Sequence, residues 1–279
     1  YGENQGSPGR FMKFPVAVTA RSFDTSGPAF EKLSRHCTIL YRNPTGNRLT
    51  ESELPAALRG AAGAIAGTEP FSAPVLEAAR DLRVVSRIGS GTDNIDGKAA
   101  GRLGIRVLST PEAPVQAVAE HTLALLLAIL KNLRIYQAEL GRGRWEPRTG
   151  RLLSGKTVGI IGMGRLGQRV AGLLQAFGCR ILYHDPFLTS GVDPRWEACG
   201  SLGDLLQAAD IITLHAPAQA GTAPLLDGGE LRLCRRGAVI INTSAALTSI
   251  QALSADDCAA FTSLSSCGNL SLRALEESD

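Results

Sequence analysis

The sequence predicts an α/β protein with two doubly wound parallel-sheet domains. Short apolar segments that suit buried strands alternate with helix-like segments along both halves of the chain. In the second half the strand segments are almost continuously apolar, which is typical of parallel strands covered on both faces. The length of 279 residues is enough for two domains, which we expect at 14–110 and 111–279, after a leader at 1–13.

The first half alternates strands and helices from its first apolar segment onward. Thr50 and Glu53 have the spacing of a capping box and predict the start of a helix at 50–59. One long apolar helix is expected at 113–136, followed by a loop rich in arginine and glycine at 141–155. The other predicted elements are strands at 14–18, 38–41, 64–66, 84–85 and 106–108 and helices at 28–36 and 75–80.

The second half repeats this alternation. Predicted strands occupy 158–161, 180–184, 211–215 and 238–241, and predicted helices occupy 166–177, 202–209 and 228–234. The segment 258–264 is expected to make a poor strand at best, because it is rich in serine and has few β-branched residues. Since a doubly wound sheet of this kind usually has six strands, we expect its C-terminal part to be incomplete.

One strand leads directly into a glycine-rich turn of the form G-x-G-x-x-G. Gly162 allows a sharp turn, Gly164 allows a phosphate to approach the backbone, and Gly167 allows the following helix to pack closely on the strand. The N-terminus of that helix offers free N–H groups and a positive dipole end. We therefore predict a dinucleotide site, with a purely structural turn as the alternative. The turn comprises Gly162, Met163, Gly164, Arg165, Leu166 and Gly167.

An acidic residue ends the second strand of this half. Asp185 follows Gly167 by 18 residues. A carboxylate at this position can accept hydrogen bonds from the adenosine ribose hydroxyls, and its charge repels the 2′-phosphate of NADP, so NAD is the predicted cofactor. Because ligands of such sheets bind beyond the carboxyl ends of the strands, Gly162, Asp185, His215 and Asn242 should converge on one crevice.

Composition argues against several other classes of protein. The net charge of +3, without a long basic run, gives no indication of a nucleic-acid partner. The longest apolar run, at 123–130, has eight residues, far fewer than the roughly 20 needed to cross a bilayer. The cysteines lack C-x-x-C spacing, so we expect no metal site and interpret them as reduced thiols of a cytoplasmic protein. They are Cys37, Cys179, Cys199, Cys234, Cys258 and Cys267.

Four segments carry a resemblance to one family. They are 84–96, which contains Gly89-Ser90-Gly91, then 117–122, which reads Ala-Val-Ala-Glu-His-Thr, then the glycine turn, and finally 214–217, which reads Leu-His-Ala-Pro. In order and spacing they resemble the NAD-dependent D-2-hydroxyacid dehydrogenases, in the branch that includes phosphoglycerate dehydrogenase. The resemblance extends from about Phe14 to Ser244 and implies a flavodoxin-like substrate domain followed by a Rossmann dinucleotide domain.

The resemblance also implies roles for individual residues. Backbone N–H groups around Ser90 and Gly91 would hold the substrate carboxylate. A strand-end turn in which Asn94 and Asp96 cap the next helix is a compatible alternative. The implied cofactor contacts are His215, Ala216 and Pro217 near the adenosine and pyrophosphate, and Asn242, Thr243 and Ser244 near the nicotinamide ribose.

The three catalytic side chains of the family are not visible in this chain. The family's arginine follows the Asn-Thr-Ser strand end, where this chain has Ala245, and no histidine follows His215 to serve as acid or base. His215 itself is interpreted as structural or cofactor-lining, with acid–base chemistry as the alternative. Residues 245–279 match no motif of the family. A shifted reading frame or splice variant, a divergence that abolished catalysis, and a C-terminal portion outside this chain all remain open.

The resemblance implies an oxidoreductase that transfers a hydride between NAD and a small D-2-hydroxy acid or 2-keto acid. The alternative is a catalytically inactive NAD-binding partner or sensor module of the same fold, which the alanine at position 245 favours. The family usually forms homodimers, and the helix at 113–136 with the loop at 142–145 is the candidate contact. Packing of that helix within its own chain alone is the other interpretation.

Overall fold

The computed structural model describes residues 13–188, 190–216 and 225–244 and the backbone of 262–265. Contacts divide the chain into two compact units, residues 1–113 and 114–279. Within the described residues, no helix is both long and apolar enough to span a membrane.

The first unit has the doubly wound, flavodoxin-like fold that the sequence predicts. Its helices are α1 (Pro28–His36), α2 (Leu54–Ala57), α3 (Ala73–Ala78) and α4 (Gly97–Arg102). Its strands are β1 (Phe14–Val18), β2 (Cys37–Arg42), β3 (Gly63–Ala66), β4 (Val84–Arg87) and β5 (Arg106–Ser109). Over residues 13–113 these strands pair in parallel in the order β2-β1-β3-β4-β5. The largest buried side chains of the unit include Phe71, Leu54 and Leu58.

The second unit has the Rossmann strand order, again as predicted. Its helices are α5 (Val115–Leu130), α6 (Leu133–Gly141), α7 (Arg165–Ala176), α8 (Leu202–Ala208) and α9 (Gly228–Leu233). Its strands are β6 (Thr157–Ile161), β7 (Arg180–His184), β8 (Glu197–Ala198), β9 (Ile211–Leu214), β10 (Val239–Asn242) and β11 (Thr262–Ser265). In the described part of this unit all strand pairs are parallel, in the order β11-β10-β9-β6-β7-β8.

Successive residues of the central strands bury their side chains on opposite faces of the second sheet. Ile211 belongs to the apolar cluster that includes Leu126 of α5 and Val170 of α7. Ile212 belongs to the cluster on the other face, which includes Leu205 of α8. Because helices cover both faces, most positions of the central strands are apolar, and burying one such side chain contributes about 1.5–3 kcal/mol. This explains the continuous apolar runs.

The helix predicted at 113–136 is wrong, because two helices occupy this region. α5 ends at Leu130, whose carbonyl accepts from the Arg151 N–H at 2.8 Å, and α6 begins at Leu133. Asn132 lies between them in the left-handed conformation, with φ 55°. Asparagine is one of the few residues that adopt this conformation readily. The returning loop therefore ends the helix where hydrophobic periodicity alone would continue it.

Two other expectations need correction. The described sheet of the second unit has six strands: β11 overlaps the segment 258–264, where a poor strand at best was expected, whereas β8 was not predicted because it has only two residues and no apolar run. The predicted helix at 50–59 is only α2, which begins at Leu54. Glu53 accepts from the Thr50 N–H at 2.8 Å, but the Thr50 hydroxyl donates to the same carboxylate at 2.7 Å instead of capping the helix, so only half of the capping box forms.

Candidate functional site

The glycine turn lies at the carboxyl end of β6, enclosed by the segments that follow β7 and β9. The Gly162 N–H donates to the His184 carbonyl at 3.0 Å, and the His215 N–H donates to the Ile161 carbonyl at 2.8 Å. Gly162 has φ +90°, and a Cβ added there would lie 2.8 Å from the Ala216 nitrogen. A side chain at position 162 is therefore excluded by both backbone conformation and space.

The other two glycines of the turn meet different constraints. A Cβ at Gly167 would lie 2.2 Å from the Gly162 carbonyl oxygen, so the close packing of α7 on the turn requires glycine. Gly164 precedes α7 with φ −68° and ψ −166°, a conformation open to any residue. A Cβ at Gly164 would find no atom of the described chain within 4 Å. The fold thus requires two of the glycines, and the third faces open space.

Asp185 directly follows β7 and lies beside the turn, as expected from the sequence. Its Oδ2 accepts from the Met163 N–H at 2.8 Å, and its Oδ1 accepts from the Phe187 N–H at 3.0 Å. A carboxylate offers about four acceptor positions, so two N–H donors leave capacity for the hydroxyls of a ribose. The open space at Gly164 and the unoccupied acceptor positions of the Asp185 carboxylate fit a dinucleotide.

His215 follows β9 on the other side of the turn. Its Nε2 lies 3.0 Å from the Thr213 hydroxyl and its Nδ1 lies 3.5 Å from the Thr243 hydroxyl. Burial lowers the pKa of His215 from 6.5 to about 4, because the surroundings disfavour the charged imidazolium. The ring is therefore neutral at pH 7, which argues against a proton-donating role. The adjacent Pro217 lies outside the described residues.

Asn242 ends β10, and Thr243 and Ser244 follow it next to His215. The Asn242 side chain is buried, and its Oδ1 accepts from both the N–H and the hydroxyl of Ser244 at 3.0 Å. The structure thus brings the ends of β6, β9 and β10 to one edge of the sheet, together with Asp185, which follows the neighbouring β7. Ala245, where the family has its arginine, lies outside the described residues.

The Ser90–Gly91 loop belongs to the first unit and is exposed. The preceding Gly89, with φ +126°, donates its N–H to the Thr110 hydroxyl at 2.8 Å. Asp96 caps α4 by accepting from the Ala99 N–H at 2.9 Å, as expected. Asn94 does not cap it, since its amide donates to the Gly67 and Glu69 carbonyls, so that part of the expectation is wrong.

Sequence reasoning missed three polar residues of these regions. Thr122 and Thr213 are buried in the second unit, and Glu69 is buried in the first, where it accepts from the Gly67 N–H at 2.7 Å. A threonine that interrupts an apolar run, as Thr213 does in β9, is the one signal that pointed to them.

A cleft of about 210 Å³ lies elsewhere, at the amino ends of the strands of the second unit. Lys156, Asp210 and Arg235 are among its lining residues. Arg235 and Asp210 form an ion pair of 3.0 Å there. Because this edge is opposite the glycine turn, the cleft is not the site predicted from the sequence.

Four of the cysteines lie in described parts of the chain, and all four are free thiols. Burial raises the pKa of Cys179 and of Cys234 to about 11, so both stay protonated at neutral pH. Cys258 and Cys267 lie outside the described residues.

Comparisons with known proteins agree on one family. Residues 123–254 match the family model of the D-isomer specific 2-hydroxyacid dehydrogenase NAD binding domain. The chain is 38% identical over 172 residues to the D-3-phosphoglycerate dehydrogenase of Methanocaldococcus jannaschii, a match that covers 60% of this chain and 33% of that protein. The chain therefore spans about a third of the length of the curated relatives it matches.

Solved structures extend the likeness to both units. The TT0316 protein from Thermus thermophilus has a TM-score of 0.78 at 33% identity, over 91% of this chain and 81% of that one. A putative D-isomer specific 2-hydroxyacid dehydrogenase from Polaromonas sp. JS6 66 has a TM-score of 0.76 at 28% identity, over 94% of this chain and 85% of that one.

Proposed function

Because the chain belongs to the D-isomer specific 2-hydroxyacid dehydrogenase family, we propose that it exchanges hydride between NAD and a small D-2-hydroxy acid or 2-keto acid. The chemistry that NAD supplies when bound is the acceptance and donation of hydride. The curated relatives described above are dehydrogenases of 3-phosphoglycerate by name, which supports a 2-hydroxy acid as the substrate class of this chain.

We propose that the second unit binds the cofactor at the glycine turn. The N–H groups at the N-terminus of α7 bind the pyrophosphate, and no side chain at Gly164 obstructs it. The carboxylate of Asp185 accepts hydrogen bonds from the adenosine ribose hydroxyls at its remaining acceptor positions, and its charge repels a 2′-phosphate. Ala216 and the residues at the end of β10 line the rest of the cleft, and Pro217 stays an expected contact outside the described residues.

In the first unit, the N–H groups around Ser90 and Gly91 hold the substrate carboxylate, in keeping with their exposed, glycine-flanked loop. His215 is not the proton donor of this proposal, because its ring is neutral and both of its nitrogens face threonine hydroxyls. The acid–base group is left unassigned.

The open space at Gly164 is the observation that carries the nucleotide proposal. The fold requires glycine at positions 162 and 167, but it does not require glycine at position 164 between them. A ligand that occupies the open space at Gly164 explains the absence of a side chain there. Gly164→Ala should therefore weaken NADH binding tenfold or more, about 1.4 kcal/mol, while the melting temperature stays unchanged. Isothermal titration calorimetry measures the affinity, and circular dichroism measures the melting.

Gly172→Ala provides the matched control. Gly172 lies on α7 as well, and a Cβ there also meets no atom of the described chain within 4 Å. This variant should bind NADH like the unmodified chain. Unchanged affinity in Gly164→Ala would contradict the proposed site.

The second candidate function is an NAD-binding module without turnover. It is favoured by Ala245, which offers neither charge nor donors at the position of the family's arginine, whereas the comparisons give it no support. An assay of NADH oxidation with a panel of 2-keto acids separates the two, because the module binds NADH and leaves every keto acid unreduced.

The chain is also proposed to form a homodimer through α6 and the loop that follows it. α5 packs one face into the core of its own unit through Leu126 and Leu130. α6, in contrast, leaves Leu133 and Leu140 more than half exposed, and Trp145, stacked on Tyr136 at 5.4 Å, is 66% exposed. Such a patch suits a partner of the same kind.

A cytoplasmic location likewise remains a proposal, supported by the free thiols.

A further inference from the structure

A row of polar side chains joins α5 to the strand ends beneath the candidate cleft. The Thr122 hydroxyl of α5 lies 2.8 Å from the Val118 carbonyl oxygen and 3.0 Å from the Thr243 hydroxyl. The Thr243 hydroxyl lies 3.5 Å from Nδ1 of His215, and Nε2 of the same ring lies 3.0 Å from the Thr213 hydroxyl. All three threonines are buried, with at most 9% of their surface exposed.

Proton counting gives this row a direction. The four contacts need one proton each, and the row supplies four, one from each threonine hydroxyl and one from the neutral His215 ring. The Val118 carbonyl can only accept, so Thr122 donates to it and must accept from Thr243. Having donated its single proton, Thr243 can only accept from the ring.

Only one tautomer of His215 satisfies all four contacts. With the proton on Nδ1, the ring donates to Thr243, and Nε2 accepts from Thr213. One additional hydrogen bond favours the Nδ1–H tautomer by about fivefold.

We propose that Thr122, Thr243 and Thr213 form a hydroxyl relay that fixes His215 as its Nδ1–H tautomer and holds Thr243 at the cofactor cleft. Thr122 is then a positioning residue, which acts on the ring through Thr243 without touching it. The relay itself is independent of any ligand, whereas its use in holding the cleft rests on the proposed NAD function.

The relay also assigns both ring nitrogens. Nε2 has its lone pair occupied by the Thr213 hydroxyl, and Nδ1 has its proton directed at Thr243. No ring position remains for proton exchange with a substrate. The histidine of the Leu-His-Ala-Pro segment is therefore a structural bridge between β9, β10 and α5, rather than an acid or base.

Nitrogen NMR of ¹⁵N-histidine protein tests the tautomer directly, because protonated and unprotonated ring nitrogens have widely separated shifts. The chain has four histidines, and His215→Gln identifies the relevant signals. The Nδ1–H form is expected in the unmodified chain. In Thr122→Val both tautomers satisfy the two remaining ring contacts, so the spectrum should shift to a mixture although residue 122 does not contact the ring.

Two further variants separate the relay from a general packing effect. Thr213→Val removes the donor to Nε2 and should leave the ring in the Nδ1–H form. Thr19→Val is the matched control, since Thr19 is a fully buried threonine of the first unit and the same chemical change there should not move the His215 signals. An Nε2–H ring in the unmodified chain, or an unchanged tautomer in Thr122→Val, would overturn the relay.

Calorimetric titration with NADH tests what the relay does for the cleft. Thr122→Val should weaken NADH binding by about threefold to tenfold, because Thr243 loses its fixed orientation. If NADH binds the unmodified chain and Thr122→Val equally while the tautomer changes, the positioning role is refuted and the relay stands. If NADH binds neither chain, the proposed NAD function fails while the spectroscopic result still decides the relay.

Discussion

Lowering the pH from 7.5 to 5 should destabilise the second unit through His215. The folded ring has a pKa of about 4, whereas the ordinary value is 6.5. Between these pH values the unfolded chain binds a proton that the folded chain does not. The stabilisation that depends on a neutral His215 is therefore complete above pH 6.5 and is lost as the pH falls toward 4. One pKa unit corresponds to 1.36 kcal/mol, which sets a maximum loss of about 3 kcal/mol. At pH 5 the same two pKa values give about 2 kcal/mol.

Urea unfolding followed by tryptophan fluorescence measures this effect where it occurs. Both tryptophans of the chain, Trp145 and Trp196, lie in the second unit. Trp196 packs against its core and donates from Nε1 to Gln175 at 3.2 Å, so its emission reports the loss of this packing. The unfolding free energy is compared at pH 7.5 and pH 5, where most carboxylates remain ionised.

His215→Gln isolates the histidine from all other titrating groups. The stability difference between the unmodified chain and this variant should shrink by about 2 kcal/mol between pH 7.5 and pH 5, because only the unmodified chain has the imidazole. Parallel pH dependence in the two proteins would refute the reasoning. If the variant does not fold, direct NMR titration of His215 decides the question, and a midpoint near 6.5 would count against a buried ring.

Three further outcomes follow from the structure. Asp185→Ala should weaken NADH binding and reduce the preference over NADPH; an unchanged preference in calorimetric titrations would remove Asp185 from the site. Gly167→Ala should destabilise the second unit by about 1–3 kcal/mol in urea, because its Cβ would meet the Gly162 carbonyl at 2.2 Å, and stability equal to that of Gly172→Ala would contradict this contact. If the proposed homodimer forms, Leu140→Asp should convert it into a monomer in analytical ultracentrifugation, whereas Leu40→Asp, at an exposed leucine of the first unit, should not.

Local patterns in the sequence were sufficient for most elements of the fold. β1, α1 and β7 have the predicted bounds, because each has a clear apolar pattern with polar, glycine or proline residues at its ends. The glycine turn was recognised for the same reason, since a strand, a turn and a helix N-terminus are continuous in the chain. The resemblance to the dehydrogenase family rests on such contiguous segments and needs no knowledge of packing.

Other features depend on residues that meet only after folding. The end of α5 is set by an N–H from a loop 21 positions later, and β8 exists only because it pairs with β7. Periodicity cannot show either, because neither depends on the local order of apolar residues. The same limit applies to the glycines, which are identical in sequence although two meet backbone and one meets open space.

The amino-acid sequence by itself determined the two-sheet architecture, the glycine turn and the acid that follows it, because these follow from short-range propensity and spacing. Tertiary structure alone decided that Thr122 and Thr243, 121 positions apart, place their hydroxyls within 3.0 Å. Hydrogen bonds require distance and direction that only the packed chain provides, so the surroundings of His215, and with them its charge state, could not be derived from residue order.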